Sequence, residues 1–210
     1  MPTIVIDTNV LMSASKDPFN ISKIKDQGDI AREFLEQFRD LNNHYYMVVT
    51  PELEKEYRKY VDYPDTVYGA FGTNWRVQMQ SLNRVVRLRN SVVDSKLRSL
   101  IINSTSDKDF AQVMLDDVHL IEAAKVPEAD KIIVSFEKRC RNAFAETSHI
   151  IDVLKIIVWV DPEIEDEKPL EWLKNGARPE KGRRLEFHLS NRKNSKKKSR
   201  KQTNDLQVSS

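Results

Sequence analysis

Four short apolar runs limit what this chain can fold into: Ile4-Val5-Ile6, residues 45–50 centred on Val48 and Val49, Ile132-Ile133-Val134-Ser135, and Ile156-Ile157-Val158-Trp159-Val160. They lack the apolar-polar alternation of a half-exposed strand, so each reads as a strand buried on both faces. Between them lie stretches of helical spacing. Ile30, Phe34, Leu35, Phe38 and Leu41 form one; Leu53, Tyr57, Tyr60 and Val61 form a second; Phe110, Val113, Met114, Leu120 and Ile121 form a third, over residues 106–124. Strands that alternate with helices predict an α/β chain: a three-layer αβα sandwich with a central, mostly parallel sheet.

Local signals place the boundaries. Thr50 and Pro51 read as N-cap and first residue of the second helix. Residues 13–18 read as a loop, and residues 63–74, punctuated by Pro64, Gly69 and Gly72, as a loop or lid. Residues 75–88 and 93–102 read as amphipathic stretches, 136–151 as helical in the later part, and 170–173 as a short helix closing at Gly176. The length suits one substantial domain, residues 1–177, followed by a basic tail, residues 178–210, expected to be disordered beyond one short element at 183–189.

Charge separates these parts. The net charge of +2 conceals 11 basic and 3 acidic residues in 178–210, against 23 basic and 29 acidic in 1–177. An acidic body with a basic tail points to a polyanionic partner and an acid-rich site. Cys140 is the sole cysteine, which excludes an intrachain disulfide and fits a reducing cytoplasm. No secretory pattern opens the chain and no apolar run has membrane-spanning length, so a cytoplasmic protein with no membrane partner is expected.

The layout also gathers carboxylates. Asp7 ends the first strand, Glu56 lies on the helix after the second, Asp117 precedes the Ile132 strand, and Glu137 follows that strand. Ligands on open parallel sheets settle beyond the carboxyl ends of the strands, so Asp7 and Glu137 are expected there, on adjacent strands. Clustered carboxylates repel each other unless a proton or a cation intervenes. A hard divalent ion, Mg²⁺ or Mn²⁺, suits such an all-oxygen set and can activate water at a phosphoryl group.

In this order the motifs resemble the PIN-domain ribonucleases. The opening is Ile4-Val5-Ile6-Asp7-Thr8-Asn9-Val10-Leu11, followed by Thr50-Pro51-Glu52-Leu53-Glu54-Lys55-Glu56-Tyr57. Then come Asp117-Val118-His119-Leu120-Ile121-Glu122-Ala123-Ala124 and Ile133-Val134-Ser135-Phe136-Glu137. The resemblance spans about residues 3–177. It implies a metal-dependent endoribonuclease in which Asp7, Asp117 and Glu137 hold Mg²⁺ or Mn²⁺ and Glu56 assists as ligand or base. It implies RNA as partner, drawn in by the basic tail through phosphate contacts. It leaves open an antitoxin or other protein partner, as for the toxin members, and a homodimer.

The chain departs from the pattern at Glu137, where the family has Asp, so a catalytically silent PIN-like module that binds RNA or protein is the alternative. A haloacid-dehalogenase-type phosphatase wants a second acid where this chain has Asn9. Asp116 competes with Asp117, and Glu52 and Glu54 compete with Glu56; Glu52 and Glu56 share a face if the helix is regular. Taken singly, a helix glutamate is ordinarily a solvated charge. His119 reads as a surface or core-edge histidine, Cys140 as packing or surface, and Trp75, Trp159 and Trp172 as core. Thr8 or Asn9 reads as the cap of a following helix.

Overall fold

Ile4, Val5 and Ile6 have no exposed surface, and the strand that holds them, β1 (Thr3–Ile6), is the centre of the sheet. A computed structural model of the chain describes residues 1–15, 26–40, 42, 44–62 and 70–188. Among these, β1, β2 (Tyr46–Val49), β3 (Val85–Arg87), β4 (Ile132–Val134) and β5 (Val158–Val160) form one sheet, parallel throughout, in the order β3-β2-β1-β4-β5. The register between β1 and β4 pairs Ile4 with Ile132, Val5 with Ile133 and Ile6 with Val134. Each fully buried Ile or Val contributes about 1.5–3 kcal/mol, which favours the β-branched centre.

Helices cover both faces, as expected for strands buried on two sides. On one face α1 (Thr8–Ala14) packs against α2 (Gln27–Arg39) and α4 (Phe71–Ser81), and α10 (Pro169–Lys174) returns to α2. On the other, α6 (Lys108–Asp116) packs against α5 (Ser95–Asn103), α7 (Val118–Ala124) and α8 (Lys138–Thr147), with α9 (Asp152–Lys155) beside α8. No helix of the described residues is long and apolar enough to cross a membrane. Trp75, Trp159 and Trp172 are all buried in the core.

Several local expectations are corrected. The stretch 75–88 is not one amphipathic element: α4 stops at Ser81, and β3 follows as the sheet's edge. The stop is a left-handed turn at Asn83 (φ 54°), with Asn83 N–H donating to the Gln80 carbonyl and Arg84 N–H to that of Met79. The helical pattern over 106–124 is broken at Asp117, whose φ of −112° and ψ of 11° end α6 and begin α7. The second helix, α3 (Pro51–Tyr57), opens with Thr50 accepting from Leu53 N–H and runs into a wider π turn, Arg58–Asp62. Leu53, Tyr57 and Val61 are buried as expected, whereas Tyr60 is exposed.

The body also runs past residue 177. Leu185 is fully buried, its N–H donates to the Ile157 carbonyl, and Arg184 bridges Val158 on the outer side of β5. The charged flanks hide this apolar anchor in the sequence. The tail beyond His188, Leu41 and residues 63–69 of the expected lid lie outside the described residues.

Candidate active site

β1 and β4 run on together past their ends: Asp7 N–H donates to the Val134 carbonyl at 2.9 Å. Here the connections diverge, since β2 follows on one side of β1 while β4 lies on the other. That divergence opens the crevice in which ligands settle on sheets of this kind. Asp7 and Glu137 therefore stand at the same edge on neighbouring strands.

Asp7, not Thr8 or Asn9, caps α1, accepting from Asn9 N–H at 3.4 Å. Its Oδ2 also accepts from the Ser135 hydroxyl at 2.6 Å. Ser135 Oγ accepts in turn from Glu137 N–H at 2.9 Å, while Asn9 Oδ1 accepts from Phe136 N–H at 3.3 Å. These short polar side chains tie the end of β1 to the turn after β4. Asp7 is 5% exposed. Burial is the main cause that pushes its carboxyl up to about 7, with the Asp117 charge acting the same way, against the pull of Ser135, His119 and the Asn9 backbone. Near neutral pH it is poised between its two protonation states.

Glu56 reaches the site from α3, because the Tyr57 hydroxyl donates to the Ile6 carbonyl and seats that helix beneath the end of β1. Glu56 Oε2 accepts from the Thr8 hydroxyl at 2.9 Å and lies 3.2 Å from Nε2 of His119, an ionic contact off the line of a hydrogen bond. Burial pushes Glu56 up, but His119 and Thr8 outweigh it, and the carboxylate is held below its ordinary range. Burial pulls His119 down; Glu56, with the charges of Asp7 and Asp117, reverses the sign and holds the imidazole above its usual value.

Asp117 sits at the junction of α6 and α7, half-buried. Burial lifts its carboxyl first, and Glu137 and Glu56 add to the rise, against the Cys140 thiol, which donates to it, and against His119. Burial beside these acids drives the Cys140 thiol far above its ordinary value, which disfavours the thiolate. Asp116 is exposed, accepting from Gln112 Nε2 at 2.6 Å. Glu52 is engaged by Ser91, and Glu54 by Arg58 and Arg76. Of the competing acids, Asp117 and Glu56 join Asp7. Glu137 stands at the rim with an exposed side chain, near enough for its charge to act on Asp117.

Sequence reasoning missed the roles of Ser135, Asn9, Thr8 and His119. The first three are ordinary turn residues by type. His119 follows Asp117 by two positions, a spacing that carries no signal without a second histidine. Among the described residues, no three His, Cys, Asp or Glu side chains are drawn together as a ready metal site. The donor chemistry still fits a hard divalent cation: oxygen ligands of one charge, with Asp7 raised by burial and the Asp117 charge, and Asp117 raised by burial and the charges of Glu137 and Glu56. A Mg²⁺ ion that keeps several waters needs only one or two direct carboxylates.

Compared with known proteins, the chain matches no family model, no curated protein and no solved structure.

Proposed function

We propose that this chain is a metal-dependent endoribonuclease of PIN type. The observation that carries the reading is the set of acids at the β1/β4 crevice, with Asp7 buried, pushed up to about 7 and sensing Asp117. A Mg²⁺ or Mn²⁺ ion bound there would supply an activated water and neutralise phosphoryl charge. Asp7 and Asp117 would hold it, with Glu137 reaching in from the rim. Ser135 and Asn9 fix Asp7 relative to that rim. Glu56, kept ionised by His119 and Thr8, is placed to accept a proton from the attacking water. The basic residues of the tail attract the RNA strand without reading its sequence.

The second reading, a catalytically silent PIN-like module, draws on the exposed glutamate at 137 in place of the family's Asp. One experiment separates them: cleavage of a mixed RNA pool with Mg²⁺, with Mn²⁺ and with chelator, wild type beside Asp7→Asn. Cleavage that needs the metal and vanishes in Asp7→Asn supports the nuclease. Wild type that cuts under no metal, or Asp7→Asn that cuts as well as wild type, leaves the silent module.

A further inference from the structure

The helix that carries Glu56 does not end as a regular helix. Spacing alone puts Tyr60 on the buried face of α3 with Leu53, Tyr57 and Val61. The π turn over Arg58–Asp62 changes that. Its i→i+5 hydrogen bonds take more residues per turn, so Val61 stays in line with Tyr57 while Tyr60 is stepped back round the axis. Val61 is 1% exposed and Tyr60 41%. The step brings Tyr60 towards the flank of Glu56, which one turn earlier meets Thr8 and His119. The turn is firmly held. The Tyr57 hydroxyl is bonded to the Ile6 carbonyl before it, the Val61 carbonyl accepts from the Thr73 hydroxyl at 2.9 Å, and Asp62 accepts from Nη1 of the buried Arg76 at 2.6 Å. Single π turns inside helices gather at functional sites.

The exposed ring has cations beside it. Lys59 Nζ donates to the Tyr60 hydroxyl at 2.6 Å and lies 4.4 Å from the ring centre, so it steadies the ring from its hydroxyl edge. Lys55, Arg58 and Lys59 are all exposed. Arg58 pairs with Glu54, whereas neither lysine forms a salt bridge among the described residues. Lys59 is near enough for its charge to help hold Glu56 low. An exposed aromatic ring with lysines beside it is what a single-stranded nucleic acid requires, a face for a base and charge for the backbone.

We propose that Tyr60 is a stacking platform for a base of the RNA strand next to the phosphate cut, with Lys55 and Lys59 meeting the backbone beside it. The inference rests on the nuclease reading for the cut, but the grip on a single strand stands without it. One turn, about 5.4 Å, separates Glu56 from Tyr60, so a base seated on the ring keeps the adjoining phosphate within reach of the acids. Stacking uses the face of any base, and the platform positions the strand without choosing its sequence.

The test is photo-crosslinking of the full chain in EDTA to a short oligouridine that carries one 5-iodouridine, with the crosslinked peptide mapped by mass spectrometry. The crosslink should fall on Tyr60. In fluorescence anisotropy, Tyr60→Ala should weaken oligouridine binding by about five- to fiftyfold and Tyr60→Phe by no more than about twofold, and neither should change the binding of an abasic strand of equal length. Lys59→Ala should flatten the log–log salt slope by about 0.7. Crosslinks confined to the tail or to another surface, Tyr60→Ala that binds as wild type does, or an equal loss on the abasic strand overturns the platform. The wild-type crosslink needs no variant, so it decides the matter even if Tyr60→Ala does not fold. Because no metal is present, the outcome is independent of cleavage. A crosslink at Tyr60 beside a wild type that cuts under no metal keeps the platform and sinks the nuclease. Metal-dependent cleavage that vanishes in Asp7→Asn, with no crosslink at Tyr60, does the reverse.

Discussion

Nε2 of His119 lies 3.2 Å from Oε2 of Glu56, the same oxygen that accepts the Thr8 hydroxyl. One imidazole thus offsets the charge of Glu56 and also lowers the carboxyls of Asp7 and Asp117. The charge of this histidine eases the repulsion among the acids when no metal is bound.

His119→Gln should therefore destabilise the metal-free protein, by about 1–2 kcal/mol once the partial exposure of Glu56 is allowed for. The imidazole is held above its ordinary 6.5, so its contribution is full below pH 6.5 and is lost as pH rises through the raised folded value. Urea denaturation should show the gap between wild type and variant widest near pH 6 and narrowed at pH 9. A gap that does not change with pH would mean that His119 acts through packing alone.

Asp7→Asn should stabilise the metal-free protein where His119→Gln destabilises it, with both variants gaining on wild type as pH rises. A carboxyl raised from 3.8 to about 7 on folding favours the folded state at low pH, and that stability is lost as pH rises between those values. The variant should gain on wild type across that window, by up to about 4 kcal/mol at 1.36 kcal/mol per pH unit. Added Mg²⁺ should then raise the melting temperature of wild type and leave Asp7→Asn unmoved. Equal pH profiles for the two proteins would show that Asp7 ionises as an ordinary surface acid.

In RNA cleavage with Mg²⁺, Asp7→Asn should lose more than about a hundredfold in rate, and Glu137→Gln about ten- to a hundredfold, the range of an outer-shell partner. Glu137 is the milder case because its side chain is exposed at the rim. A loss at Glu137→Gln as deep as at Asp7→Asn would make it a direct ligand. No loss would confine the site to Asp7, Glu56 and Asp117.

The sheet was legible where composition and burial coincide. Ile4-Val5-Ile6 and Ile132-Ile133-Val134 announced themselves because both faces of those strands are covered. β3 was not, because Val85 and Val86 sit between Arg84 and Arg87 at an edge, and their spacing continues the pattern of α4. The acids at 7, 56, 117 and 137 were readable as charges placed after strands or on helices. The break that turns Asp117 into the crevice was not, since apolar spacing runs across it from Met114 to Ile121. Ser135 and Asn9 were invisible as site residues, because a turn uses the same residue types for its own hydrogen bonds.

Truncation separates tail from body. Ending the chain at His188 should leave stability within about 1 kcal/mol, as expected when no described packing is removed. It removes seven basic residues and one acidic residue, so the log–log salt slope of RNA binding should flatten by up to about five units, at ~0.7 per phosphate contact. Ending it at Gly182 instead removes Leu185 and Arg183, and should cost about 2–5 kcal/mol, as for loss of a fully buried leucine. Equal melting temperatures for the two truncations would place the end of the body where composition alone suggests it, at residue 177.

The two margins of the sheet are finished by different means. β3 is short and carries the half-exposed Arg87, so it offers a poor template to another chain. β5 has three residues with no exposed surface, and its outer backbone is met by Arg184 and Leu185 of the same chain. That last segment works as a stopper. A chain clipped before Arg184, by protease or by design, would bare an apolar strand with unpaired amides, and its fate would be set by self-association and loss of solubility more than by unfolding.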